Sequence, residues 1–200
     1  MARAKSKVVT RAVKPPSSFV TIDASTQSLA FAFVVDGTVV QYGKVKFEGA
    51  NLDEKIRDIA LKTYAFFLKY KTDTIVIEDT VYINSPQTVT TLSKCHGALL
   101  AAAYLAGVKH TFKVSPIAWQ SYIGTRLLTA PERARIKSQT PGRSASWYKA
   151  KERQIRKQKT IDTVNKRFGF GLSDDDIADA CGLAIFSIEN WKKVTTYAKK

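Results

Sequence analysis

Cysteine and histidine are scarce, with two of each in 200 residues. Cys95 and Cys181 stand far apart, and a chain of this length can bury a core without a disulfide staple, so the pair fits a reducing compartment. Cys95 and His96 are adjacent, and neighbours on a helix point about 100° apart. They therefore read as packing residues rather than as a shared metal pair or a nucleophile with its base. His110 stands at a strand start with no visible partner, and no Ser-His-Asp arrangement is present. No apolar run approaches the roughly 20 residues of a membrane span, which argues against a membrane protein. No internal repeat and no second domain are visible. What remains is one domain, and its 44% hydrophobic content predicts that it folds.

Acids are also in short supply. Seventeen Asp and Glu face 32 Lys and Arg, a formal net charge of +15 with a sequence pI of about 9.8. Such a surplus costs self-repulsion, and a polyanionic partner explains it: nucleic acid first, an anionic membrane surface second. Met1 to Ser18 holds five basic residues and no acid. It lacks the apolar core of a signal peptide, and Pro15-Pro16 argues against a transit helix. Residues 1–17 read as a flexible basic arm that adds non-specific affinity for DNA. Residues 193–200 read as a basic tail, and the folded domain is placed at 18–192.

Within that domain SFVTID (Ser18 to Asp23) reads as a buried strand and SLAFAFVV (Ser28 to Val35) as a second. Asp36-Gly37 is a hairpin turn signal, leading to a third strand over Thr38 to Phe47. Asn51 opens a helix, with Glu54 as its capping-box partner, and Leu52, Ile56, Ile59, Ala60, Thr63 and Phe67 share one face. TIVIE (Thr74 to Glu78) is a short apolar strand ending in an acid. Pro86 to Ala106 predicts a long helix whose Ala98, Ala101, Ala102 and Ala103 allow close backbone approach. Lys109 to Val114 is a fifth strand, and Ser115-Pro116 starts a short helix. Gly124 to Ser146 reads as a loop or insertion, followed by a basic helix from about Trp147 to Phe168. Ser173 caps a last helix running to about Asn190. The order is three antiparallel strands, helix, strand, helix, strand, then helices. This is the α/β order of the RNase H-like fold: a mixed five-stranded sheet, antiparallel then parallel, flanked by helices.

Four acids stand out against this frame. Asp23 and Glu78 end the first and fourth strands, and parallel neighbours would bring both to one sheet edge, where open α/β sheets bind ligands. Asp176 and Asp179, three apart on the last helix, share a face. That helix is apolar from Ile177 to Ile188, so a carboxylate on its inward side is costly unless paired or bound to metal. Asp174, Asp175 and Asp176 also suit the first turn of a helix, where acids meet the macrodipole favourably. Four carboxylates at one edge can hold two Mg2+ ions, with Mn2+ as a substitute. Two such ions suit phosphodiester hydrolysis and need no nucleophilic side chain.

Three blocks resemble the RuvC family of Holliday junction resolvases, in particular its phage-type members. VTIDASTQSLAFAFVV (Val20 to Val35) resembles the family's first hairpin with its Asp. IVIEDTVYINSPQTVTTLSKCHGALLAAA (Ile75 to Ala103) resembles the Glu-bearing strand and the helix beyond it. DIADACGLAIF (Asp176 to Phe186) resembles the terminal motif with two acids. Lys157 or Lys159 resembles a basic residue near the scissile phosphate. The resemblance implies a crossover junction endodeoxyribonuclease with Asp23, Glu78, Asp176 and Asp179 as metal ligands. It also implies a homodimer that nicks two opposed strands of a four-way junction symmetrically, a partnership that two-fold symmetry suits. The helix Pro86 to Ala106 is the candidate dimer interface, with sheet packing as the alternative use of its small residues. Two departures bear on substrate choice: Ala24-Ser25 follows the Asp where cellular members usually have Pro-Gly, and Val81-Tyr82 stands where they often place a base-engaging aromatic.

From Arg126 to Arg167 there are 13 basic residues against three acids. We take Arg126, Arg133, Arg135, Lys137, Arg143, Lys149, Lys151, Arg153 and Arg156, with Tyr82, as candidate DNA contacts, and a basic insertion at about 124–156 as their main carrier. Trp147 and Tyr148 could stack on bases or anchor the helix. Other branched DNAs are within the expected range of substrates. The rival readings are a non-catalytic junction-binding protein and an RNase H-like nuclease acting on RNA–DNA hybrids. An actin-like ATPase ranks last, because IDASTQSL offers no glycine for a phosphate turn. The expected location is the cytoplasm, that of the host cell if the source is a phage.

Overall fold

A computed structural model describes residues 14–79 and 85–197. The elements are β1 (Ser18–Ala24), β2 (Ser28–Val35), β3 (Thr38–Lys46), α1 (Leu52–Tyr70), β4 (Thr74–Glu78) and α2 (Pro86–Leu105). They continue with β5 (His110–Val114), α3 (Pro116–Tyr122), α4 (Ala130–Gln139), α5 (Ala145–Phe168), α6 (Asp175–Glu189) and α7 (Trp191–Tyr197). The strands form one sheet in the order β3-β2-β1-β4-β5. β1, β2 and β3 pair antiparallel, while β4 lies parallel to both β1 and β5. This is the expected mixed sheet of the RNase H-like fold.

The local signals explain the geometry. Asp36 and Gly37 both adopt positive φ, 47° and 77°, the backbone a two-residue hairpin turn requires. β1 and β4 are buried along most of their length because both of their faces are covered. Val20, Ile22, Ile75 and Ile77 pack with Ile59, Phe66, Phe67 and Leu99 under α1 and α2. On the opposite face Phe19 and Val76 pack with Val164, Leu183, Phe186 and Trp191 under α5, α6 and α7. The site depends on this alternation.

Several boundaries differ from the sequence reading. The span 124–146 is not simply a loop, since α4 lies within it. Thr129 and Glu132 close a reciprocal capping box around Pro131, which sits in the first turn and starts the helix rather than breaking it. α4 buries none of its residues, so no apolar stripe marks it in the sequence. The cap of α6 is Asp174, not Ser173: its carboxylate accepts from the backbone N–H of Asp176 and Ile177. Beyond residue 192 the chain continues as α7, and buried Trp191 and Val194 tie that helix to the core.

Candidate functional site

The site begins with strand parity. Phe19 and Thr21 of β1 face α6, so Asp23, two residues on, faces α6 as well. On β4, Val76 faces the same way, and so does Glu78. The parallel register runs Val20↔Ile75, Thr21↔Val76, Ile22↔Ile77 and ends one residue short of both acids. One further step sets Asp23 beside Glu78. On the other flank Asp23 pairs with Ala30, and Ala30 pairs with Lys44 of β3. A transverse row Lys44–Ala30–Asp23–Glu78 therefore crosses the sheet on its α6 side.

α6 is pinned over this row. The buried Thr21 hydroxyl donates to the Ala180 carbonyl of α6 at 2.8 Å. Asp176 and Asp179 thereby come within electrostatic reach of the strand acids. Burial first, then the charge of Asp176, pushes the Asp23 carboxyl up to about 6, against the opposing pull of Lys157 and Lys44. Burial, with Asp23 next, raises Asp179 to about 7. Burial, followed by repulsion from Asp23, raises Glu78 to about 8, although an indole hydrogen bond from Trp119 works the other way. That bond, Trp119 Nε1 to Glu78 Oε2, measures 2.6 Å.

Lysines hold the neighbouring acids. Lys44 Nζ lies 2.6 Å from Asp174 Oδ2 and 2.8 Å from Asp176 Oδ2. Burial alone would lower the Lys44 pKa, but these two carboxylates outweigh it and raise it. Lys157 pairs with Asp175, and its charge reaches Asp23 and Asp179. Lys159 points elsewhere, to Glu132 of α4 at 2.9 Å. Of the two candidate lysines, Lys157 is the one brought to the acids.

Half-buried carboxylates that repel one another form a set of hard oxygen donors that a divalent cation would discharge. The donor chemistry fits Mg2+ or Mn2+. Among the described residues, no three His, Cys, Asp or Glu side chains stand as a ready-made coordination shell. Asp176 is turned onto Lys44.

The basic residues divide by position. Arg153, Arg156 and Lys157 line a cavity of about 530 Å³ with Gln120, Thr125, Thr160 and Asp179, so it opens beside the acids. Arg133 bonds the Leu128 carbonyl at 3.0 and 2.8 Å and lies 3.6 Å from Glu152, a bracing role within the α4–α5 hairpin. Arg143 lies 5.5 Å from the centre of the Trp147 ring, and Lys137 lies 5.9 Å from that of Tyr148. Lys151 bonds Gln154, while Arg126, Arg135 and Lys149 are exposed. Tyr82 lies outside the described residues, as does Val81. Buried His96 has a ring nitrogen 3.3 Å from the Ala24 carbonyl, and burial lowers its pKa, consistent with a packing residue. Sequence reasoning missed Lys44, Trp119 and the capping role of Asp174. Lys44 could have been found by carrying the strand alternation from Asp23 across the hairpin.

No family model and no curated protein sequence matches the chain. Solved structures do. A Thermus thermophilus RuvC in complex with a Holliday junction substrate superposes with a TM-score of 0.63 at 14% identity, covering 90% of this chain and 98% of that one. The fold is that of RuvC. A second T. thermophilus RuvC structure gives 0.60 at 15% identity, covering 88% and 97%. The yeast mitochondrial Holliday junction resolvase Ydc2 gives 0.53 at 13% identity, covering 94% and 84%. The RuvC-like fold thus spans nearly the whole chain. Among the described residues, no helix is long and apolar enough to cross a membrane.

Proposed function

We propose that the protein is a metal-dependent, structure-selective endonuclease that resolves four-way DNA junctions. The observation that carries this reading is the placement of Asp23 and Glu78 one step beyond the β1–β4 register, on the sheet face that α6 covers with Asp179, with all three carboxyls raised by burial and by neighbouring acids. Asp23, Glu78, Asp176 and Asp179 would hold two Mg2+ ions. Bound ions would supply activation of a water and stabilisation of the leaving oxygen. The chain's own contribution is to keep four acids at one edge, to hold Lys157 where it can meet a phosphate, and to lead the strand along Arg153 and Arg156. Shape and backbone contact, rather than base reading, would select the branch.

The same reading includes a homodimer. α1 and α2 carry an apolar groove lined by Ala60, Leu61, Tyr64, Ala98, Ala101, Ala102 and Leu105, with Leu105 itself 79% exposed. Ala103 is buried in the core, so the small residues of α2 serve both packing and a contact face. A second copy covering this groove would place two sites on opposed strands.

The test is a four-way junction labelled on one strand, incubated with and without Mg2+, beside Asp23→Asn. Paired nicks near the branch point that need metal and vanish in the variant, with junction binding retained, are expected. Binding without cleavage in Mg2+ and Mn2+ alike would replace this reading with that of an architectural junction-binding protein.

A further inference from the structure

We infer that Trp119 is a positioning residue that holds the Glu78 carboxylate in place for an incoming ion; this rests on the reading of Glu78 as a metal ligand. Trp119 is fully buried at the junction of α3, β4 and α6. An indole has one polar group, a donor, and a buried one needs an acceptor. A backbone carbonyl would suffice for packing. Here the N–H goes instead to a carboxylate oxygen at the strand edge, at 2.6 Å.

The surroundings are shaped to keep the ring there. A Cβ on Gly182 of α6 would come within 2.7 Å of Trp119 Cζ3 and 3.0 Å of Ile123 Cδ1. Gly182 follows Asp179 by three residues, so the same stretch of α6 carries an acid and leaves room for the indole that orients another. The ring is thus wedged between two elements that bear candidate ligands. With Oε2 taken, Glu78 offers Oε1 to an ion, and its orientation is set before the ion arrives. Groups that orient a ligand in this way typically change metal affinity by about 10- to 100-fold when removed.

A core-filling role and a positioning role are separable, because Phe keeps most of the packing and loses only the N–H. Mg2+ alone would be titrated calorimetrically into the full chain and into Trp119→Phe, with thermal unfolding in chelator to confirm that the variant is folded. A Mg2+ affinity at least about tenfold weaker in the variant is expected. In the wild-type protein the indole N–H resonance of Trp119 should shift during the same titration, a measurement that holds even if the variant fails to fold. Affinity within twofold of wild type in a folded variant, or an indole resonance unmoved at saturating Mg2+, would overturn the inference. If the wild-type protein binds no Mg2+ at all, the reading of Glu78 as a ligand falls, and this inference falls with it.

Discussion

Replacing Asp179 with Asn should make the metal-free protein more stable while abolishing junction cleavage. Asp179 sits on an apolar helix, and burial, then the charge of Asp23, raise its carboxyl from 3.8 to about 7. At about 1.4 kcal/mol per unit, holding it ionised at pH 8 costs about 4 kcal/mol at most. Part of that is repulsion shared with Asp23, and counting it on both partners would double it. A gain of about 2 kcal/mol for the nearly isosteric Asn is the reasonable expectation, or about 4–8 °C in Tm for a domain of this size. The pH dependence fixes the sign. A carboxyl raised on folding favours the fold while protonated, so its contribution is complete below about pH 4 and is lost as pH climbs through about 7. The advantage of Asn should therefore shrink to less than half at about pH 5. The assay is thermal unfolding in chelator at pH 8 and pH 5, repeated with Mg2+. Wild type should gain stability with Mg2+, by about 2.7 kcal/mol at a hundred times Kd, and the variant should gain far less. An Asn variant no more stable than wild type in chelator at pH 8, or one with an equal gain at pH 5, would refute the argument that this acid is strained for function.

Lys44→Met should lower the Tm of the metal-free protein by a few degrees, because it leaves Asp174 and Asp176 without their shared cation; the cost should be about 1–2 kcal/mol for a partly exposed pair, and Mg2+ should restore part of it. Replacing Arg153 and Arg156 together with Ala should flatten the salt dependence of junction binding by about two in log–log slope, measured by anisotropy across salt concentrations. Leu105→Glu should shift the protein to a monomer in sedimentation velocity, and paired nicking should become independent single nicks.

Much of the fold is legible in the sequence because the signals are local. Asp36-Gly37 can hardly be anything but a tight turn, and Asn51 caps α1 with its Oδ1 accepting from the Glu54 N–H at 2.9 Å, although the Glu54 carboxylate takes the backbone N–H of Ala50 rather than that of Asn51. The apolar runs of β1 and β4 announce strands covered on both faces. α4 is the exception: with no buried side chain, its only marks are Thr129, Pro131 and Glu132, which also occur in loops.

The candidate acids could be picked out because each sits at an element's end or on an apolar helix, positions that order in the sequence already defines. The chain by itself therefore determined which residues are candidates and roughly which edge they occupy. The tertiary structure alone decided who meets whom. Lys157 and Lys159 are two residues apart on one helix, about 200° around it, so they face opposite ways. Only the packing of α5 against α6 and α4 gives one to Asp175 and the other to Glu132. Lys44 joins the site through a register two strands wide, and Trp119 reaches Glu78 where Gly182, with no side chain, leaves room for the ring against α6. Such contacts link residues far apart in the chain through three packed elements, and no local pattern encodes a distance of that kind.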